Sequence, residues 1–98
     1  MRYEFDAEVW RWEARIEEWG FVSLPQDASD EIREYAGDTP RGFGAVRVEV
    51  TIGGTTWRTS IFPSGAGGPY SLPLKKAVRK AEALGIGDPV HVGLEILD

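Results

Sequence analysis

The sequence predicts a mostly β protein, a single domain folded as a small closed β-barrel with two short α-helices. Apolar and polar residues alternate in three runs, at residues 3–9, 46–61 and 90–96, which is the pattern of strands with one buried face. The tripeptide Ser-Leu-Pro occurs at 23–25 and at 71–73, each time before a segment with helical spacing. Two strand–helix–strand halves favour a pseudo-two-fold barrel, because closing a sheet removes its exposed edges.

The central element is a hairpin with a specified register. Gly53-Gly54 lies between two alternating runs and suits a tight type I′ or II′ turn, since glycine accepts a positive φ. A two-residue loop pairs Ile52 with Thr55 and Val50 with Trp57, so the apolar side chains share one face. We expect that face and the inward face of the last strand to form the core, with the residues Val46, Val48, Val50, Trp57, Ile61, Val90, Val92 and Leu94.

The first two strands are predicted from shorter patterns. Residues 3–9 alternate apolar with acidic side chains, and Trp10 and Trp12 follow them. These indoles either cover an open end of the barrel, which we favour, or line the mouth of a pocket. A second strand is expected over residues 19–24 and ends at Pro25, which cannot donate a backbone hydrogen bond to a sheet.

Two helices are predicted between the strands. The first covers Gln26–Ala36, with acids in its first turn and a buried stripe of Ala28, Ile32 and Tyr35. The second follows Pro73 and ends at Gly85. Its apolar positions at helical spacing are Leu74, Ala77, Val78, Ala81 and Leu84.

Composition excludes several kinds of chemistry. The single domain of residues 1–98 has no cysteine and one histidine, so thiol chemistry, iron–sulfur clusters and His-rich metal sites drop out. We expect no metal and no cofactor, and we interpret His91, on the outward face of the last strand, as a surface residue. No apolar run approaches the ~20 residues of a membrane-spanning helix. We therefore expect a soluble cytoplasmic protein without a membrane partner.

Charge is distributed unevenly along the chain. The net charge is −5, yet residues 41–80 hold seven of the eleven Lys and Arg residues and a single acid, Glu49. One interpretation, which we favour, is that this basic middle pairs with the acidic ends in the folded protein. The other is that it forms a basic band that binds a partner.

The candidate ligand site combines the basic residues with a glycine-rich segment at 63–69, which we expect to be a flexible surface loop. Lys75, Lys76, Arg79 and Lys80 crowd the predicted first turns of the second helix, where a cation opposes the helix macrodipole by about 0.3–1 kcal/mol. Such a broken local rule points to function. The alternative is that the acidic first strand and first helix lie nearby and neutralise these cations. The segment lacks the spacing of a phosphate-binding loop.

The outward face of the hairpin adds arginine and phenylalanine residues that suit an anionic or planar ligand. If these side chains and the basic residues converge, the ligand-binding residues are Arg41, Phe43, Arg58, Phe62, Ser64, Lys75, Lys76 and Arg79. The alternative, which we favour for the two phenylalanines, is that Phe43 and Phe62 cover the ends of the barrel.

Five fragments carry a family resemblance. They are YEFDAEVWRWE at the start, FVSLP before the first helix, RGFG before the hairpin, WRTSIFPS at its exit and the Gly-Asp turn after the second helix. In this combination the chain resembles the bacterial family called domain of unknown function 1905. The resemblance implies a β-barrel of the double-split type, related in architecture to swapped-hairpin transcription-factor barrels. It implies no activity and no catalytic residue.

Two functions follow from these observations. We expect a small binding module that recognises an anionic small molecule or a protein segment near the glycine-rich loop and the second helix. The alternative is a nucleic-acid-binding barrel, because LPLKKAVRKAEALGIGDPV is similar in part to a pattern of the swapped-hairpin DNA binders. We recognise no catalytic nucleophile, set of metal ligands or pair of carboxylates in the sequence, so an enzyme is the third and least favoured class.

Overall fold

The structure, a computed structural model, describes residues 1–11, 20–36 and 44–97. It is mostly β, with two antiparallel sheets and two short helices, as the sequence predicts. Within the described ranges no helix is both long and apolar enough to cross a bilayer.

The larger sheet has the strand order β1-β7-β4-β5. Its strands are β1 (Arg2–Glu8), β4 (Val46–Ile52), β5 (Thr55–Ile61) and β7 (Pro89–Ile96). The hairpin has the predicted register, with Ile52 opposite Thr55 and Val46 opposite Ile61. Gly53 has a φ of 56° and Gly54 does not have a positive φ, which is the pattern of a type II′ turn.

The smaller sheet has the order β2-β3-β6 and includes one strand that periodicity does not predict. Its strands are β2 (Trp10–Arg11), β3 (Gly20–Ser23) and β6 (Ser71–Leu74). β6 contains Pro73, opposite Phe21. The Tyr70 carbonyl accepts a hydrogen bond from the Leu24 amide, so the backbone groups of Tyr70 face the β3 side. Successive residues of a strand direct these groups to opposite sides, so those of Pro73, three residues on, face away from β3. A proline is tolerated there because no ladder bond requires its missing N–H.

One backbone bridge joins the two sheets, and the chain itself passes from one to the other at Val9. Phe62 and Ser71 form an isolated bridge in which each backbone N–H donates to the other's carbonyl, at 3.0 and 2.8 Å. Val9 lies between β1 and β2, donates its N–H to Asp88 at 3.0 Å, and accepts from Gly87 at 2.7 Å.

The core is a single apolar cluster between the sheets. Seven of the eight predicted core residues are buried, and both strands of the hairpin contribute to it. The exception is Trp57, which is only partly buried and packs against the edge of the cluster. The reason is the position of the strand: β5 is the last strand of its sheet among the described residues, so no further strand of that sheet flanks the indole.

The first helix, α1 (Gln26–Ala36), has the predicted bounds. Ala28 and Ile32 are buried as expected, but Tyr35 is 53% exposed, so that part of the predicted stripe is wrong. Ser29 takes its place: it is fully buried, and its hydroxyl accepts a hydrogen bond of 3.0 Å from the Tyr70 amide. One turn of helix separates Ser29 from Ile32, so the buried face is rotated relative to the apolar stripe.

The second helix, α2 (Lys76–Ala81), is much shorter than predicted. Leu74 belongs to β6, where it is almost fully buried, and Ala77 and Ala81 are exposed. The alternation of Leu72 and Leu74 into the core competes with the helical spacing, and the sheet contact with β3 wins.

Candidate functional site: a basic groove beside the second helix

α2 buries little of its surface and ends in a specific cap. Val78 is its only buried residue. At the other end, Leu84 donates its amide to Arg79 at 2.8 Å and Ala83 donates to Lys80 at 3.4 Å, which is the bond pattern of a Schellman motif. Ala83 has a φ of 54°, at the position where glycine is usual. The C′ residue is thus Ala83, two positions before the predicted stop at Gly85.

An open groove of about 360 Å³ lies beside this helix. Its walls combine three cations with apolar and backbone surface, from the residues Lys76, Arg79, Lys80, Ala83, Leu84 and Gly85. No carboxylate is among these six residues. At one end of the groove the Gly85 amide donates to the Asp88 carboxylate at 2.7 Å.

Arg79 is the fixed member of the basic set. Its Nε donates to the Leu74 carbonyl at 3.1 Å, and its aliphatic stem lies on the backbone of Gly20. A Cβ built at Gly20 would be 2.9 Å from the Arg79 Cδ, so a larger residue at position 20 would require the arginine stem to shift. Lys76 and Lys80 are exposed and long, which leaves their ammonium groups able to follow a ligand.

The shorter helix changes the electrostatic argument for the site. Arg79 and Lys80 lie in the last turn, where cations interact favourably with the macrodipole, and not in the first turns as predicted. Glu82 is the C-cap residue, and it accepts a 2.6 Å hydrogen bond from the Thr55 hydroxyl, which ties the helix end to the start of β5. Arg79 and Lys80 therefore favour the end of the helix, whereas Lys76, its first residue, still opposes the macrodipole.

The structure brings only part of the predicted site together. Lys76 and Arg79 line the groove, and Lys75, the N-cap residue, is exposed beside it. Arg41 and Phe43 lie outside the described residues. The role of each of these residues in binding stays a prediction.

The Arg58 side chain lies on the face of β5 that points away from α2. Thr55 points toward α2, and because strand residues alternate, Arg58 leaves the opposite face. There its Nε is 3.3 Å from the Glu49 carboxylate. Phe62 is 45% exposed, which does not fit a covered barrel end. The basic residues of the hairpin and of α2 thus do not form one band.

The glycine-rich segment contacts α1 and offers acceptors. Residues Gly65–Gly67 form a 3₁₀ turn, and the Ser64 hydroxyl donates to Pro69 at 2.6 Å. Gln26 donates to the Gly67 carbonyl at 3.0 Å, and the Arg33 guanidinium donates to the Gly68 carbonyl. Carbonyls that point at an arginine do not cradle an anion, so these contacts do not favour a phosphate-binding role. The flexibility of the segment stays a prediction.

One polar cluster was missed by sequence reasoning. His91 Nδ1 lies 2.8 Å from Asp6 and Nε2 lies 3.0 Å from Glu4, on the exposed face of β7 and β1. The hydrogen bonds to Glu4 and Asp6 raise the pKa of His91, and the hydrogen bond from His91 lowers the pKa of Glu4. The pairing of Asp6 with His91 depends on a strand register across most of the chain, which no local pattern contains.

Comparison with known protein families identifies one match. No curated protein matches the chain significantly. The sequence profile of one family, described as a domain of unknown function (DUF1905), matches residues 5–94. The match spans both sheets, both helices and the groove, so the chain belongs to the DUF1905 family.

Proposed function

We propose that this protein is a small binding module whose ligand is an anionic small molecule held in the groove beside α2. The observation that carries the proposal is the meeting of Lys76, Arg79 and Lys80 at one groove that no described carboxylate lines. A local field of this kind attracts anions despite the net charge of −5, because distant charges are screened beyond about 8 Å.

The groove favours a ligand that has both an anionic and an apolar part. Ala83, Leu84 and the aliphatic stems of the basic residues give apolar walls, and the ammonium and guanidinium groups stand at the rim. A phosphate or carboxylate head would meet the cations, and an attached alkyl or ring group would lie on the walls. The fixed stem of Arg79 supplies a preformed wall for such a group.

Three probes separate these contributions: inorganic phosphate, octyl phosphate below its micelle concentration, and octanol. We expect octyl phosphate to bind most tightly, with amide chemical-shift changes concentrated at Lys76, Lys80, Ala83, Leu84 and Gly85. Octanol should bind weakly, because it lacks the charge. If octanol binds as well as octyl phosphate, or if the shifts lie elsewhere, the proposal is wrong.

Nucleic acid binding, the second function considered from the sequence, is one outcome of the same tests. Binding through several phosphates weakens steeply with salt, by a log–log slope of about −0.9 for each neutralised phosphate of duplex DNA. The separation of Arg58 from the α2 cations leaves few contacts for a duplex. We expect no binding of duplex or single-stranded DNA at physiological salt, and binding with a steep salt slope would replace the small-molecule proposal.

We also propose that the two sheets close into one barrel of the double-split type. Support comes from the Phe62–Ser71 bridge on one side and from the backbone bonds of Val9 between β1 and β2 on the other. A crystal structure in which these two junctions are open would contradict the closed barrel. The cytoplasmic location stays a prediction.

A further inference from the structure

One edge of the larger sheet, along β5, has almost no strand partner among the residues that the structure describes. Phe62 directs both its N–H and its C=O to Ser71, away from β4. In an antiparallel ladder the direction of these groups alternates, so Ser60, Arg58 and Thr56 direct theirs to the same side. Among the described residues no strand pairs with β5 on that side beyond the single bridge at Phe62.

Pro73 explains why the pairing with β6 stops. Continuing the ladder from the Phe62–Ser71 bridge would place Ser60 opposite Pro73 as the next hydrogen-bonded pair. Proline has no N–H, so the Ser60 carbonyl would gain no donor there. The two strands therefore pair at one point, and no described strand pairs with the backbone from Thr56 to Ser60 on the open side.

The two faces of β5 give the open edge a chemical preference. On the outer face stands Arg58, exposed and held by one surface ion pair to Glu49, which is worth little. On the inner face is Trp57, partly buried because nothing described covers its outer side. A strand added at this edge would place an acidic side chain across from Arg58 and apolar side chains beside Trp57.

We infer that the edge from Thr56 to Ser60 is a docking site for an extended segment of a partner protein in which acidic and apolar residues alternate. The segment would add a strand to β5 in antiparallel or parallel sense, through the backbone groups of Thr56, Arg58 and Ser60. This surface is distinct from the groove beside α2 and does not depend on it.

A second copy of the chain fits this edge less well. A two-fold antiparallel pairing with full overlap of Thr56–Ser60 places Arg58 directly against Arg58 of the other copy. Like charges directly opposite are destabilising, and a charged residue on an edge strand is a known protection against self-pairing. The charge favours an acidic partner instead.

Amide hydrogen exchange on the full chain tests whether the β5 edge is open and whether an added strand covers it. In the free protein the amides of Thr56, Arg58 and Ser60 should exchange fast, and those of Thr55, Trp57, Thr59 and Ile61 should exchange slowly because they bond to β4. A blocked peptide of alternating glutamate and valine, ten residues long, should slow the three fast amides. A peptide of alternating lysine and valine should slow them much less.

Two pairs of variants test the docking residues. Thr56→Pro removes an open-edge donor without touching the bonds to β4, and Arg58→Glu reverses the charge. Each should weaken the binding of the acidic peptide by about tenfold. Thr56→Val keeps the N–H, and Arg47→Glu makes the same charge change one strand inward, opposite Ser60, so both should bind almost as the wild type does. Slow exchange of the hairpin amides next to β4 checks that each variant is folded.

Four results would overturn the inference. The three amides could already be slow in the free protein at all concentrations, or become slow as its own concentration rises, which would mean self-pairing. The acidic peptide could fail to slow them at millimolar concentration. Arg47→Glu could weaken binding as much as Arg58→Glu, which would mean attraction to general surface charge.

Discussion

The β4–β5 hairpin and the segment from Tyr70 to Gly85 differ in how local pattern relates to final structure. In the hairpin, alternation and a two-glycine turn agree, and the register is the predicted one. In the later segment, Leu72 and Leu74 alternate into the core while Leu74, Val78 and Leu84 also fit a helix. Two consistent signals specify a structure, whereas two competing signals leave the choice to tertiary contacts.

The outcome of that competition produces the candidate site. Because Leu74 belongs to β6, α2 begins only at Lys76 and has a single buried residue, Val78. Its basic side chains Lys76, Arg79 and Lys80 then line an open groove. The region with the ambiguous pattern is thus the one that carries the proposed function.

The largest effect should come from matched truncations in the two regions. Ile61 in β5 and Leu72 in β6 are both fully buried, so Ile61→Ala and Leu72→Ala should each destabilise the protein by about 2–5 kcal/mol. Urea unfolding at equilibrium measures both. If Leu72→Ala costs less than about 1 kcal/mol, β6 is not a core strand and the comparison fails.

Trp57→Ala should cost less than either truncation. A fully buried tryptophan would lose about 3–5 kcal/mol, but this indole is only partly buried at the edge of β5, so we expect about 1–2 kcal/mol. The same urea experiment, with tryptophan fluorescence replaced by circular dichroism, gives the value. A loss above about 3 kcal/mol would place the ring inside the core.

Ala83→Gly sharpens the account of how α2 ends. The left-handed conformation of Ala83 costs a non-glycine residue roughly 1 kcal/mol, which glycine avoids. Against this gain, glycine lowers stability by about 0.5–1 kcal/mol because it has more backbone freedom to lose on folding. We expect a small net stabilisation, about 0.5 kcal/mol, measured as a higher urea midpoint. Ala81→Gly is the control inside the helix and should be destabilising. Destabilisation by both would contradict the cap.

The pH dependence of the His91 cluster should be the smallest effect. The pKa of His91 is raised by Glu4 and Asp6, so its contribution is fully present below pH 6.5 and is lost as pH rises through the raised value. The pKa of Glu4 is lowered, so its contribution is present above pH 4.5 and is lost as pH falls through the lowered value.

His91→Gln should therefore lower the free energy of unfolding at pH values between the lowered pKa of Glu4 and the raised pKa of His91. At pH 9 it should leave that free energy almost unchanged. Thermal unfolding of the variant and the wild type across pH 4–9 measures the difference. An equal difference at pH 6 and pH 9 would show that the ring contributes by packing and not by charge.

The elements predicted correctly are those whose signals lie within a few residues. The bounds of α1 and the hairpin register follow from caps, alternation and a turn. Tyr35 was misplaced because the buried face of α1 is set by Ser29, whose partner Tyr70 is distant in the chain. The groove was predicted only in part, since Lys80 and Leu84 come to it through the unpredicted end of the helix at Ala83.

The most direct test of the groove compares two double variants with the same change in charge. Lys76→Glu/Lys80→Glu changes the groove, and Arg58→Glu/Lys75→Glu changes exposed cations that do not line it. Calorimetric titration with octyl phosphate should show binding weakened at least tenfold in the first variant and less than threefold in the second. Equal weakening in both would show that the ligand responds to general charge and that the groove is not its site.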